Sequence, residues 1–227
     1  MAIVSDFWKA TPVRHFVIGL LACLLVAGTG AARAQQARPV AIVALGDSLT
    51  AGYQLPPGDA FPVKLQAALK AKGLDVTVEN AGVSGDTSTG GLERLDWAVG
   101  DGVDAVILEL GANDALRGID PAVTRRNLDE ILARLKARGI AVLLTGMLAP
   151  PNMGPQFAAA FNPIFPELAA KHGVLFDPFF LEGVAAVRDL NLADGMHPNA
   201  RGVDAIVARI LPKVEELVAE VRSRRGG

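Results

Sequence analysis

The chain predicts an α/β domain built on a parallel sheet, and three observations carry that expectation. Apolar runs of strand length alternate with longer stretches of helical period, the pattern of strands joined by helical crossovers. The segments rich in glycine and polar residues follow the C-terminal ends of the predicted strands, where ligands of such sheets bind. There is no internal repeat, low-complexity linker or second domain.

Taken in order, Val40 to Leu45 reads as the first strand. Phe61, Leu65, Ala68 and Leu69 then recur at helical spacing and stop at Gly73, a suitable C-cap. Val76 to Glu79 is the second strand and Ala105 to Leu110 the third. Leu128, Ile131, Leu132 and Leu135 share one face of a helix that ends at Gly139, before a fourth strand, Ala141 to Thr145. Gln156 to His172 reads as a helix interrupted near Pro163, and Val174 to Phe176 as the fifth strand. A last helix, Asn199 to Val221, buries Ile206, Ile210, Val214 and Leu217, with a kink expected at Pro212.

Residues 1 to 34 read as an address label. Lys9 and Arg14 precede an uncharged apolar stretch, Phe16 to Gly28, and Ala32-Arg33-Ala34 offers small residues where a signal peptidase reads, so cleavage is expected after Ala34. The stretch is shorter than the roughly 20 residues that span a bilayer. The expected product, residues 35 to 227, is one domain, secreted or periplasmic. Its loss of Cys23 leaves no cysteine for a disulfide. Without Lys9, Arg14, Arg33 and Asp6 it keeps 19 basic and 23 acidic residues, a formal charge of −4. That balance argues against nucleic acid, whose phosphates demand a basic patch. A monomer acting on a small molecule is the expected state.

Four blocks carry chemistry. In Gly46-Asp47-Ser48-Leu49, Ser48 stands where a buried strand breaks into a turn permitted by Gly46. A serine hydroxyl needs an adjacent base to become a nucleophile, and the same tetrapeptide equally suits a helix N-cap. Asn80-Ala81-Gly82-Val83-Ser84-Gly85-Asp86-Thr87 is a loop whose backbone can approach a substrate and aim an N–H at a developing oxyanion, with Gly82 as the chosen donor. A βα loop with a polar cap explains that block as well. Gly111-Ala112-Asn113-Asp114 offers the Asn113 amide as a further donor, or an Asx-turn. In Asp194-Gly195-Met196-His197-Pro198-Asn199, a three-residue spacing lets one loop carry a base, His197, and the carboxylate that orients it, Asp194. His172, in a Lys-His-Gly helix end, suits the helix dipole instead.

No His-x-x-x-His pair, calcium-type Asp-x-Asp-x-Asp loop or Walker lysine is present, so neither metal nor cofactor is expected. Leu148, Pro150, Pro151, Met153 and Phe157 after the fourth strand, with Phe179 and Phe180 after the fifth, are candidate walls of an apolar acyl pocket; each suits the core equally well.

Together and in this order, the blocks resemble the SGNH superfamily of GDSL hydrolases. Within it the chain is similar to the periplasmic arylesterase and acyl-CoA thioesterase I (lysophospholipase L1) group, through Gly46 to Tyr53, Asn80 to Thr87 and Ala149 to Gly154. The likeness covers residues 38 to 215, and the four name-giving residues fall on Ser48, Gly82, Asn113 and His197. The resemblance implies a flavodoxin-like three-layer α/β/α sandwich with five parallel strands in the order 2-1-3-4-5. It also implies a Ser48–His197–Asp194 triad and an oxyanion hole formed by Ser48, Gly82 and Asn113. The expected activity is hydrolysis of aryl esters, fatty-acyl esters, acyl-CoA thioesters or lysophospholipids through an acyl-serine intermediate. A carbohydrate or peptidoglycan O-deacetylase on the same machinery is one alternative, and a secreted binding protein without turnover is another. One departure concerns Gln54, where the arylesterases often carry glycine.

Overall fold

Five parallel strands in the order β2-β1-β3-β4-β5 form the centre of the computed structural model, which describes residues 38–226. β1 (Val40–Gly46), β3 (Ala105–Glu109) and β4 (Ala141–Thr145) are buried almost throughout, as strands covered on both faces must be. β2 (Val76–Gly82) is an edge strand and alternates buried and exposed positions in its first half. β5 (Leu175–Asp177) closes the other edge. The sheet order and the parallel pairing match the expectation from sequence.

The covering helices fall into two layers. α2 (Phe61–Ala71) and α9 (Ala200–Gly226) pack together on one face, while α3 (Ser88–Glu93), α6 (Pro121–Ala137) and α8 (Ile164–His172) pack on the other. α9 buries Val203, Ile206, Val207, Ile210, Val214, Leu217, Val218 and Val221, a stripe of helical period that drives it onto the sheet. Full burial of each such side chain stabilises by about 1.5–3 kcal/mol. The helix continues through Pro212, and Asn199 caps its start by accepting from the Arg201 and Gly202 N–H groups. The interruption expected near Pro163 separates α7 (Pro155–Phe161) from α8.

Local departures from the expected elements all concern short segments. β2 continues to Gly82, because Asn80, Ala81 and Gly82 pair with Ala44, Leu45 and Gly46 of β1. The first three residues of the predicted second loop, Asn80 to Gly82, are therefore strand. Unanticipated short helices follow the strands: α1 (Ser48–Ala51), α3, α4 (Leu95–Ala98) and α5 (Ala112–Leu116). The expected signal segment, residues 1 to 34, lies outside the described residues. Among those described, no helix is long and apolar enough to cross a membrane.

Candidate active site

At the C-terminal edge of the sheet the chain leaves β1 through Asp47, which caps α1 by accepting from the Leu49 N–H at 3.0 Å. Ser48 is therefore not the cap. It occupies the first helical position, with its hydroxyl free for another partner and its backbone N–H without an acceptor among the described residues. The partner is His197, whose Nε2 lies 2.9 Å from Ser48 Oγ across 149 positions of sequence.

His197 sits in a loop folded around one carboxylate. Asp194 Oδ1 accepts from the Met196 and His197 N–H groups, while Oδ2 lies 2.7 Å from His197 Nδ1. The Leu192 N–H donates to the His197 carbonyl and closes the loop, with Gly195 in the left-handed region. The two backbone donors, above all the His197 N–H, hold the Asp194 carboxyl down at about 2. An ionised Asp194 makes Nδ1 the protonated nitrogen and leaves Nε2 to accept from the Ser48 hydroxyl. Tyr53 lays its ring against the imidazole, the centroids 4.5 Å apart and tilted by 39°.

Behind the serine lies a buried polar group. Asp47 Oδ2 accepts from Asn113 Nδ2 at 3.0 Å, which uses one of the two amide hydrogens and leaves the other for a ligand. Burial lifts the Asp47 carboxyl to about 6 against the opposing pull of the Leu49 N–H, Asn113, Glu109 and His197. Glu109, the last residue of β3, is wholly buried and accepts at Oε2 from the Thr50 hydroxyl (2.8 Å) and the Asp47 N–H (3.3 Å). Gly46 is required by space here: a Cβ would stand 2.1 Å from Thr50 Oγ1 and 2.7 Å from Glu109 Oε2. A turn conformation is not the reason, since its φ is not positive. Arg94 donates to the Gly46 and Ala81 carbonyls while paired with Asp86, tying the ends of β1 and β2 together.

Ser48, His197 and Asp194 are thus joined in one series, and Asn113 is tied to Asp47, the residue before Ser48. Gly82 needs correction as a donor. Its N–H is spent on Asn80 Oδ1 at 3.0 Å, and its lack of a side chain serves packing, since a Cβ would fall 2.3 Å from the Ala51 nitrogen. The turn just beyond, closed by Asp86 N–H to the Val83 carbonyl, holds Gly85 at φ +86° with its N–H unclaimed among the described residues. The proposed apolar walls divide as well. Phe180 is core: it is fully buried and packed edge-on to Phe61 at 5.0 Å. Phe157 stacks on Phe161 and Phe179 is half-buried, whereas Leu148 is exposed, as is Pro151. Pro150 is half-buried, and so is Met153, which reaches toward Gly118 beyond α5. Sequence reasoning overlooked Tyr53 and Glu109: the first lies inside a block it singled out and the second at the end of the third strand, two residues before another block, neither with a motif to give it a role. No group of three or more His, Cys, Asp or Glu side chains among the described residues is placed to hold a metal ion.

Comparison with known proteins adds the family context. The GDSL-like Lipase/Acylhydrolase family profile matches residues 44–205. Esterase TesA of Pseudomonas aeruginosa is 38% identical over 81% of this chain and 92% of its own. An arylesterase of Vibrio mimicus is 42% identical over 69% of this chain and 79% of its own. The crystal structure of AlinE4, described as an SGNH-hydrolase family esterase, superposes with a TM-score of 0.67 at 44% identity, covering 79% of this chain and 96% of that one.

Proposed function

Because the chain belongs to the GDSL-like lipase/acylhydrolase family and is a carboxylic ester hydrolase, we propose that Ser48 is its nucleophile, His197 the general base and Asp194 the carboxylate that orients the base. The observation that carries this reading is the unbroken series Ser48 Oγ to His197 Nε2 at 2.9 Å and His197 Nδ1 to Asp194 Oδ2 at 2.7 Å. As the serine oxygen attacks an ester carbonyl, its proton passes to Nε2, and Asp194 stabilises the imidazolium. The Ser48 N–H and the free hydrogen of the Asn113 amide receive the oxyanion, with Gly85 N–H supplying the third donor in place of Gly82. His197 returns the proton to the leaving alcohol, and a water activated by the same base splits the acyl-serine.

The substrates we propose are aryl and fatty-acyl esters and acyl thioesters. Tyr53, Met196 and Leu148 present exposed apolar surface at this edge of the sheet. Leu148, Pro150, Pro151, Met153 and Phe157 remain the proposed acyl wall. The protein acts as a monomer, in the periplasm or outside the cell, after removal of residues 1 to 34.

The test is hydrolysis of p-nitrophenyl esters of increasing chain length, acyl-CoA and lysophospholipid, with Ser48→Ala as control. The variant is expected to lose about 10⁴-fold or more in kcat. Near-normal turnover by Ser48→Ala with its circular dichroism unchanged sinks the assignment, and a strict preference for acetyl groups on sugars sinks the substrate class.

A further inference from the structure

Glu109 is a buried ionisable group beside this site that the reaction as described does not use. Its carboxyl is wholly enclosed at the end of β3, in register with Gly46 of β1. Oε2 receives two donors, the Thr50 hydroxyl and the Asp47 N–H, and Oε1 has no partner among the described residues. The neighbouring Asp47 carboxyl is equally buried but better served, taking the Leu49 N–H on one oxygen and Asn113 Nδ2 on the other. Among the described residues neither carboxylate forms a salt bridge; Arg94 reaches the Gly46 carbonyl and pairs with Asp86.

Two buried carboxyls side by side cannot both carry charge without compensation. Each takes two donors, but both of those on Glu109 fall on Oε2, one of them at 3.3 Å, whereas Asp47 has one at 3.0 Å on each oxygen; the charge therefore belongs on Asp47 and the proton on Glu109. We propose that Glu109 is a positioning residue that works as an uncharged acid, fixing the Gly46–Ser48 turn from behind and leaving Asp47 as the single anion next to the oxyanion donors. Burial and the adjacent Asp47 charge both push the Glu109 carboxyl well above its ordinary value, in the same direction. The neutral acid serves two ends. It ties the first turn of α1 to β3 through Thr50, so that the Ser48 N–H keeps its aim. It also avoids a second negative charge where negative charge develops in the transition state, which would oppose catalysis. The inference deepens the proposed function and rests on it for the role of the turn, but not for the protonation state.

The experiment compares Glu109→Gln and Glu109→Ala with the wild type in the full chain. Glutamine reproduces the neutral acid: its carbonyl accepts from Thr50 and Asp47 N–H, and its amide stands where the acid proton would. Glu109→Gln is expected to hold kcat and KM within about threefold at pH near 7, while Glu109→Ala, with those two donors left unpaired, loses about tenfold or more in kcat. Difference infrared spectra of wild type against Glu109→Gln should show a neutral carboxylic-acid carbonyl band at that pH. The Tm of Glu109→Gln should also gain on the wild type as pH rises above the ordinary glutamate value, because only the wild type must take up a proton to fold. A loss in Glu109→Gln as large as in Glu109→Ala overturns the proposal, as does an infrared spectrum with carboxylate bands only. Should Glu109→Ala fail to fold, the glutamine variant and the spectrum decide. None of these outcomes touches the Ser48 assignment, which stands or falls on Ser48→Ala.

Discussion

Removing the Asn113 amide tests the site at the point where its two halves join. Asn113 Nδ2 gives one hydrogen to Asp47 Oδ2 at 3.0 Å, and the other is the donor proposed for the oxyanion. Asn113→Ala therefore deletes two interactions. Loss of one oxyanion donor costs roughly 2.7–4 kcal/mol in comparable enzymes, so kcat should fall by about 10²–10³ while KM changes little. Loss of a hydrogen bond to a buried charge costs about 1.5–3 kcal/mol of stability, a Tm drop of roughly 3–10 °C for a domain of this size. The Asp47 carboxyl, at about 6 with this donor in place, moves higher without it. The stability deficit of the variant should consequently grow as pH rises through about 6, where Asp47 ionises. Asn113→Asp should be worse in all three respects, since it sets a carboxylate against Asp47 and offers no donor. The assay is steady-state hydrolysis of a p-nitrophenyl ester, paired with thermal melts across pH. A fall in kcat of less than about fivefold with the fold intact refutes the donor role. A loss confined to KM refutes it too, because that would make the amide a ground-state contact.

Three further outcomes follow from the same geometry. Replacing Tyr53 with Leu removes the ring that lies on His197; its attraction for an imidazolium is worth about 0.5–1 kcal/mol at an exposed site, so kcat should drop about two- to fivefold while Tyr53→Phe stays near wild type. Equal losses in both variants would locate the effect in the hydroxyl instead. Asp194 is held down at about 2 in the fold against 3.8 unfolded, so the stability it contributes is complete above about pH 4 and disappears as pH falls through about 2. The Tm deficit of Asp194→Asn should accordingly be constant from neutral pH to about 5 and close below it; a deficit unchanged at pH near 2 would contradict this. Gly46→Ala must displace Thr50 Oγ1 or Glu109 Oε2, an overpacking cost of about 1–3 kcal/mol, to be read as a lower Tm. A Tm equal to wild type would mean that the space behind the nucleophile is not tight.

What the sequence made legible follows the size of the driving force. β4 begins and ends where its apolar run does, at Ala141 and Thr145, because five consecutive buried positions leave no other reading. The last helix carried a stripe long enough to fix its face, from Val203 to Val221. α1, α4 and α5 are four or five residues long, too short for a period to show; they form because Asp47 supplies a cap, or because the chain is already held at both ends. The exposed residues of β2 near Asn80 looked like loop until pairing with β1 in register drew them into the sheet. Gly82 and Phe180 were misread for a related reason. A glycine that allows close packing and a glycine that donates its N–H are the same letter, and so are a core phenylalanine and a pocket one.

The proposed catalytic residues stood out for a different reason than the fold. Ser48 and His197 announce themselves by chemistry, but their separation of 149 positions is bridged by nothing local. The connection runs through the sheet. β1 delivers Ser48 to the edge, β3 beside it delivers Glu109 and, four residues on, Asn113, while α9 packs against the face and brings the loop that ends at Asn199 into reach. The two halves are held differently. Asn113 is tied to the fully buried Asp47 carboxyl and Ser48 follows that residue in the chain, whereas Asp194 and His197 belong to a loop fixed mainly by its own hydrogen bonds, with their side chains 32% and 20% exposed. Local opening is cheapest where buried contacts are few. The base loop is therefore the part of the site that should open first, and amide exchange in residues 194 to 197 should outpace exchange in β1 and β3. Uniform protection across both halves would mean that contacts from α9, rather than the loop's own bonds, hold the imidazole in place.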